Sequence, residues 1–590
     1  MLKARNQYVA ILFSLLALWA LAACTEEGSS LVADGGIRGT GKSVGPVSGF
    51  GSVIVNGTRF NTDNTDFIIN GEVSRSQASL AEGMVVVVDI NAGDEDRADR
   101  IFYDDDVRGP LAGELNPELR QLEILDHLIR YDSATVFRGL SLAELAELLA
   151  RGEVAYVSVS GWRLSTGEFL ASYISSRAGF TPGVDRVRIW GEIDDFNLPG
   201  ETLEIGPLTV DYGQNPEVIM DRGRSQLLAT DEGTVIVVEG QLDQIGGVLT
   251  AQRIEQKDSQ ALLENIDGDR IRLEGSISQG LEGGPSGTFE INGIKVRVNP
   301  STELEGIAAA GLDEGARILI EGVGDRQATV VAKQIWTREP ETEVEAEIQQ
   351  IEVTDNPREG WVEVGGVWVK VTLSTIVVGE WANGNTTNLQ FSDLREGNAV
   401  AVSGIARDDE RGGYIEAVKL ERQETARQFV VVGRAGGKVR DELLKVLGMK
   451  LRLTGATRYG DDLDEDSIAP GDLLAITYEI DANGLLSVVQ VDRRGEPDDL
   501  EIRPQEDRPA PLNPGNGNGR GGPPDGRPGG DDGRGGPPDT WPGNGNGNGN
   551  GNSNGNGNGN GNGNGNGNGQ PGRPGIGIGP GGGNGPGRSP

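Results

Sequence analysis

The sequence predicts an all-β protein: tandem small antiparallel β-barrel (OB-like) modules followed by a disordered Gly/Asn-rich C-terminal tail. Three observations predict it. Short runs of alternating apolar and polar residues recur with glycines at fixed places, the period-2 pattern of strands with one buried face. The set of runs itself repeats about every 70 to 85 residues. Beyond Arg493 the alternation stops, and Pro, Gly, Asp and Arg lead into a Gly-Asn run from Gly543 to Gly569 that has nothing with which to bury a core.

The first element belongs to no barrel. Lys3 and Arg5 make a positive start, and the apolar stretch from Tyr8 to Leu21 suits a signal-peptide core but is short for a membrane span. Ala22 and Ala23 then offer a small-residue cleavage site ahead of Cys24, the only cysteine. Leu21-Ala22-Ala23-Cys24 resembles the lipobox of bacterial lipoproteins. The resemblance implies diacylglyceryl transfer to Cys24 Sγ, cleavage before Cys24 and acylation of the new amino group. Each buried methylene of such chains contributes about 0.8 kcal/mol, so two or three chains hold a protein on a membrane almost permanently. Thr25 lacks the aspartate that retains resembling lipoproteins at the inner membrane, so the expected location is a bacterial cell envelope, at the outer membrane, with its face unassigned. Acylated Cys24 leaves no thiol for a disulfide, and the barrels must be held by packing.

The domain reading follows from the repeat. Residues 1–23 form the signal peptide and 24–36 a lipid-anchored linker. Repeats then occupy 37–106, 107–186, 187–270, 271–343, 344–428 and 429–495, the second and sixth diverged, and 496–590 is the tail. Each repeat opens with a strand carrying a small residue: Gly39, Gly113, Gly191, Gly275, Ala346 or Gly433. A hairpin follows, clearest at Val55-Asn56-Gly57-Thr58 and Ile291-Asn292-Gly293-Ile294, because Asn-Gly suits a type I′ turn. Ile205-Gly206-Pro207-Leu208, Val364-Gly365-Gly366-Val367 and Leu447-Gly448-Met449 take its place elsewhere, and the second repeat has Leu125-Asp126-His127-Leu128. A glycine then enters an apolar strand that often ends at a second glycine: Gly161, Gly240, Gly322 or Gly404. Ala-x-x-Ile-like strands close the unit.

Glycine at strand corners fits a strongly bent barrel. Ser141-Leu142-Ala143-Glu144 is a capping box that predicts a short helix through Ala150. Barrels this small are marginal alone, which predicts that neighbouring copies pack together. The unit, with its Gly-x-Ile opening, Val-Asn-Gly hairpin and Leu-x-x-Gly-x-x-Val strand, resembles the domain-of-unknown-function family numbered 5666, found in tandem in bacterial lipoproteins. Repeats one, three, four and five carry the resemblance best, over residues 37 to 493, and it implies no activity.

The chemistry is narrowed by what is scarce. A formal net charge of −37 argues against nucleic acid, whose affinity rests on Lys and Arg neutralising phosphate. His127 is the only histidine, so multi-histidine metal sites are excluded by count, and beside Asp126 it reads as an exposed turn histidine before a catalytic pair. No nucleophile elbow or phosphate loop appears. Asp94-Glu95-Asp96, Asp104-Asp105-Asp106 and Asp461-Asp462 with Asp464-Glu465-Asp466 supply oxygens of the kind calcium accepts, without an EF-hand spacing to support it. Trp361, Trp368 and Trp381 cluster in the fifth repeat, with Trp162, Trp190 and Trp336 elsewhere; they read as core or cross-strand partners before sugar- or peptide-stacking groups.

The expectation is a lipid-anchored envelope protein with a non-enzymatic binding or structural role and no cofactor. Its partners would be the membrane, through Cys24, and an envelope protein or a polysaccharide. The alternative is a carboxylate-dependent envelope hydrolase acting on carbohydrate.

Overall fold

Two local chemistries shape every repeat: a hairpin whose turn tolerates positive φ, and a bulge at which a strand bends. The computed structural model describes residues 41–494, apart from 114, 165–166, 215, 220–226, 228–233, 257–265, 380–386, 426–428, 461–462 and 481–483. Cys24, the linker and the tail lie outside them.

In module 1 the first strand, Gly41–Gly49, pairs antiparallel with the second, Val53–Val55, which pairs with the third, Thr58–Phe60. The third strand's continuation, Asp66–Ile69, runs parallel to the fifth, Asp94–Tyr103. The fifth pairs with the fourth, Val85–Asn91, which returns to the first. This is the order of an OB barrel. The same parallel third-to-fifth pairing recurs at Ile129↔Phe169, Val210↔Leu249, Val296↔Val330, Trp368↔Tyr414 and Arg452↔Ser487. The first strands of modules 2 to 6 are Val107–Leu111, Arg186–Glu192, Arg270–Glu282, Thr342–Val353 and Phe429–Arg434.

The turns are as the sequence indicates. Asn56 and Gly57 have φ of 52° and 72°, and Asn292 and Gly293 have 48° and 74°. Leu125 and Asp126, at 48° and 67°, make the same turn without glycine. The second glycines are the bulges: the register slips between Ser160 and Gly161, Glu239 and Gly240, Glu321 and Gly322, and Ser403 and Gly404. A β-carbon on Gly240 would stand 2.1 Å from Thr250 O, so the strands bend only where no side chain intervenes. The helix Leu142–Ala150 starts at the Ser141–Glu144 capping box.

The small residue of the first strand is displaced in the second repeat. Gly39 lies outside the described residues, and Gly113 follows its strand. The positions facing the end of the second strand are Gly45 and Gly109, where a β-carbon on Gly109 would lie 2.7 Å from Leu125 Cδ1.

First strands also join modules to one another. Lys42–Val44 run parallel to Ile271–Leu273, linking modules 1 and 4, which are not consecutive. Arg188 pairs with Arg108 between modules 2 and 3, and Glu343–Glu345 with Val430–Val432 between modules 5 and 6. The core of module 1 takes in Val136 and Tyr173 of module 2 and Ile376 and Val378 of module 5. Modules 5 and 6 share one core, with Val344, Val362 and Val364 packed in the same cluster as Val431, Leu444 and Ile476.

Candidate functional site

Buried charge collects where modules meet. Asp105 accepts from Tyr103 OH at 2.7 Å and Arg108 Nη1 at 2.6 Å. Arg108 Nη2 donates to Glu239 Oε1 at 3.2 Å, and Arg188 Nη1 donates to the same oxygen at 3.0 Å. Arg188 Nη2 also lies 3.5 Å from Asp104. Burial works to lower the Arg188 pKa, but Asp104 and Glu239 outweigh it and raise the guanidinium above its ordinary value. A second seam centres on Glu274, which lies 3.2 Å from Arg317 Nη2 and 3.5 Å from Arg338 Nε. Arg317 stacks 4.6 Å over the buried Trp162 of module 2, and Arg338 donates to Ser374 O of module 5 at 3.0 Å. Lys419 Nζ of module 5 donates to Thr135 O of module 2 at 2.9 Å.

These contacts settle the acidic runs. Asp104-Asp105-Asp106 is split three ways: Asp104 toward Arg188, Asp105 toward Arg108, and Asp106 Oδ2 accepting from Gly161 N at 2.9 Å. Asp94, Glu95 and Asp96 are exposed at a hairpin end, and Asp464 caps a turn through Ser467 N at 2.8 Å. Asp461 and Asp462 lie outside the described residues. Among the described residues, no three His, Cys, Asp or Glu side chains are grouped to hold a metal ion.

His127 is half-buried in the seam between modules 2 and 3, not exposed at a turn. Its Nδ1 faces Leu125 O at 2.9 Å and its Nε2 faces Trp190 O at 2.6 Å, so neither nitrogen is turned to Asp126. Glu82, 3% exposed, is a buried acid of module 1. Desolvation pushes its carboxyl up to about 7, against the pull of its own backbone N–H and of Arg138. An open cavity of about 310 Å³ between modules 1 and 5 is lined by Ser48, Phe50, Ile54, Arg358, Leu373, Phe391 and their neighbours, with no carboxylate among them.

The tryptophans of module 5 are not core. Val362, Val364, Val367, Val369 and Val371 fill the inside, all at most 1% exposed. Alternation therefore turns Trp361 and Trp368 outward, where they sit half-buried as cross-strand partners of Lys370 and Glu363. Tyr414 meets Trp361 edge-on at 5.0 Å, and the Arg411 guanidinium stands 4.7 Å from the Trp361 ring and 5.4 Å from that of Trp368. Trp381 lies outside the described residues.

Residues 109–175, 274–335 and 437–489 each match the model of a family described as "Domain of unknown function (DUF5666)". Three of the six modules therefore match DUF5666, in tandem. The matched segments fall in modules 2, 4 and 6. The DUF5666 pattern is therefore retained in the two repeats whose hairpins looked diverged. Leu125-Asp126 and Leu447-Gly448 keep the positive φ of the turn while changing its residues, so the pattern survives where the Asn-Gly signature does not. Among curated proteins none matches this chain. The solved structure "drosophila Unr CSD456" is 11% identical, covering 38% of this chain and 97% of that one at a TM-score of 0.15, a value too low to argue from.

Proposed function

We propose that this protein is a lipid-anchored component of a bacterial envelope with a non-enzymatic binding or structural role. The observation that carries the non-enzymatic part is the way ionic side chains are used. Buried Asp105, Arg108, Arg188 and Glu239 join modules 1, 2 and 3, and buried Glu274 holds Arg317 and Arg338, which reach Trp162 of module 2 and Ser374 of module 5. These ionic side chains hold modules together, and the open cleft between modules 1 and 5 has no carboxylate in its lining.

Anchoring rests on Leu21-Ala22-Ala23-Cys24 and the apolar stretch ahead of it. The test is metabolic labelling with palmitate in a bacterial host, comparing the chain with Cys24→Ser and fractionating membranes. Label and membrane pelleting in the parent, both lost in the variant, are expected. An unlabelled parent overturns the anchor. Protease shaving of intact cells, with a periplasmic leakage control, then separates a surface role from a periplasmic one.

A further inference from the structure

We propose that the outer face of module 5, built from Trp361, Trp368 and Tyr414 with Arg411 above them, binds a neutral polysaccharide chain. The proposal gives a ligand to the binding role above and rests on that reading.

The barrel itself does not require these aromatic residues. Trp368 stands opposite Glu363 in the hairpin between the second and third strands. The same cross-strand position holds Arg59, Leu128, Thr209, Lys295 and Lys450 in the other five modules, which close the same fold without an aromatic there. Module 5 also lengthens the hairpin beside this face. Its fourth and fifth strands, Ala399–Asp409 and Gly412–Gln423, have 11 and 12 residues, against 8 and 8 in each of modules 3, 4 and 6. The added ladder, ending at Asp409↔Gly412, carries Arg411 over both indoles, where Glu352 accepts from its Nη1 at 2.8 Å. In OB barrels, the face of the second and third strands and the loop between the fourth and fifth are where extended polymers lie.

The chemistry selects the polymer. Indole faces pack against the C–H faces of pyranose rings, and the carboxylates and cations around them suit hydroxyl groups, which both donate and accept. Glu352, Glu363 and Glu416 stand with Lys370 and Arg411 around the aromatic rings, within a chain of net charge −37. A polyanion meets that field unfavourably, whereas a neutral chain does not.

The test is affinity electrophoresis of the full chain in detergent, through gels containing dextran, laminarin, galactomannan or xylan. Alginate and single-stranded oligothymidylate serve as charged probes. At least one neutral polymer should retard the chain, and Trp361→Ala/Trp368→Ala should weaken the retardation about ten-fold or more. Thr209→Ala, at the matching position of module 3, should leave it unchanged, and coincident melting curves verify that the variants fold. Retardation by none of the four neutral polymers, retardation indifferent to the tryptophans, or retardation by alginate or oligothymidylate alone overturns the proposal. Binding in the gel is independent of acylation, so the palmitate experiment fails or succeeds separately.

Discussion

Arg108 and Arg188 are register partners across the seam between modules 2 and 3, and both donate to one oxygen of Glu239. Like charges placed directly opposite repel, so the pairing depends on the carboxylate that bridges them and on Asp105 and Asp104 behind it. A buried network of this kind is costly to break on one side only.

Glu239→Ala is therefore expected to destabilise the seam by about 3–5 kcal/mol, because it leaves two buried guanidiniums short of a partner. A urea titration read by intrinsic fluorescence measures it. Replacing Arg108, Arg188 and Glu239 by Met, Met and Leu together with Asp105→Asn should cost much less, since no buried charge is then left behind.

Glu82 sets a pH dependence with a defined sign. Its folded pKa of about 7 lies above the ordinary glutamate value of 4.5, so the folded protein holds a proton that the unfolded chain has released between those values. Its contribution is fully present below 4.5 and is lost as pH rises through 7, a difference of about 3 kcal/mol. Melting temperatures recorded across this range should fall with pH in the parent more than in Glu82→Gln.

The bulge glycines should resist substitution. A β-carbon on Gly404 would lie 2.2 Å from Glu416 O, whereas one on Gly437 meets nothing within 4 Å. Gly404→Ala is expected to cost about 2 kcal/mol or more, and Gly437→Ala to be neutral within about 0.5 kcal/mol, both read from denaturant midpoints.

Modules that share a core should not melt one by one. Calorimetry is expected to show modules 5 and 6 in a single transition, since Val364 and Leu444 belong to one cluster. Deleting residues 37–106 should lower the melting of modules 2 and 5, because Val136, Tyr173, Ile376 and Val378 lose their cover and each such side chain contributes about 1.5–3 kcal/mol when buried.

What the sequence made legible was local. Asn56-Gly57, the Ser141–Glu144 box and the glycines at 161, 240, 322 and 404 each act through neighbours in the chain or through one facing strand, and all are where their chemistry requires. Core and cross-strand places were left open for Trp361 and Trp368; the valines that alternate with them fill the inside and turn both outward. The seams were not legible. Glu239 and Arg108 are separated by 131 positions, and no periodicity connects them. The place of Asp104 was hidden in the same way, since its partner Arg188 lies in another module. The opening glycine of the second repeat was misplaced because Gly109 and Gly113 are both candidates, and only the close approach of Leu125 chooses between them.

The parallel pairing of Lys42–Val44 with Ile271–Leu273 imposes an order in time. A chain made from its N-terminus presents module 1 long before its partner strand exists, so one sheet edge must wait, unpaired, while more than two hundred residues are synthesised. Lys42, held by Asp89 at 2.6 Å, places a charge on that waiting edge. That edge is closed only by the fourth barrel, and a nascent chain interrupted before it leaves an open template for mispairing.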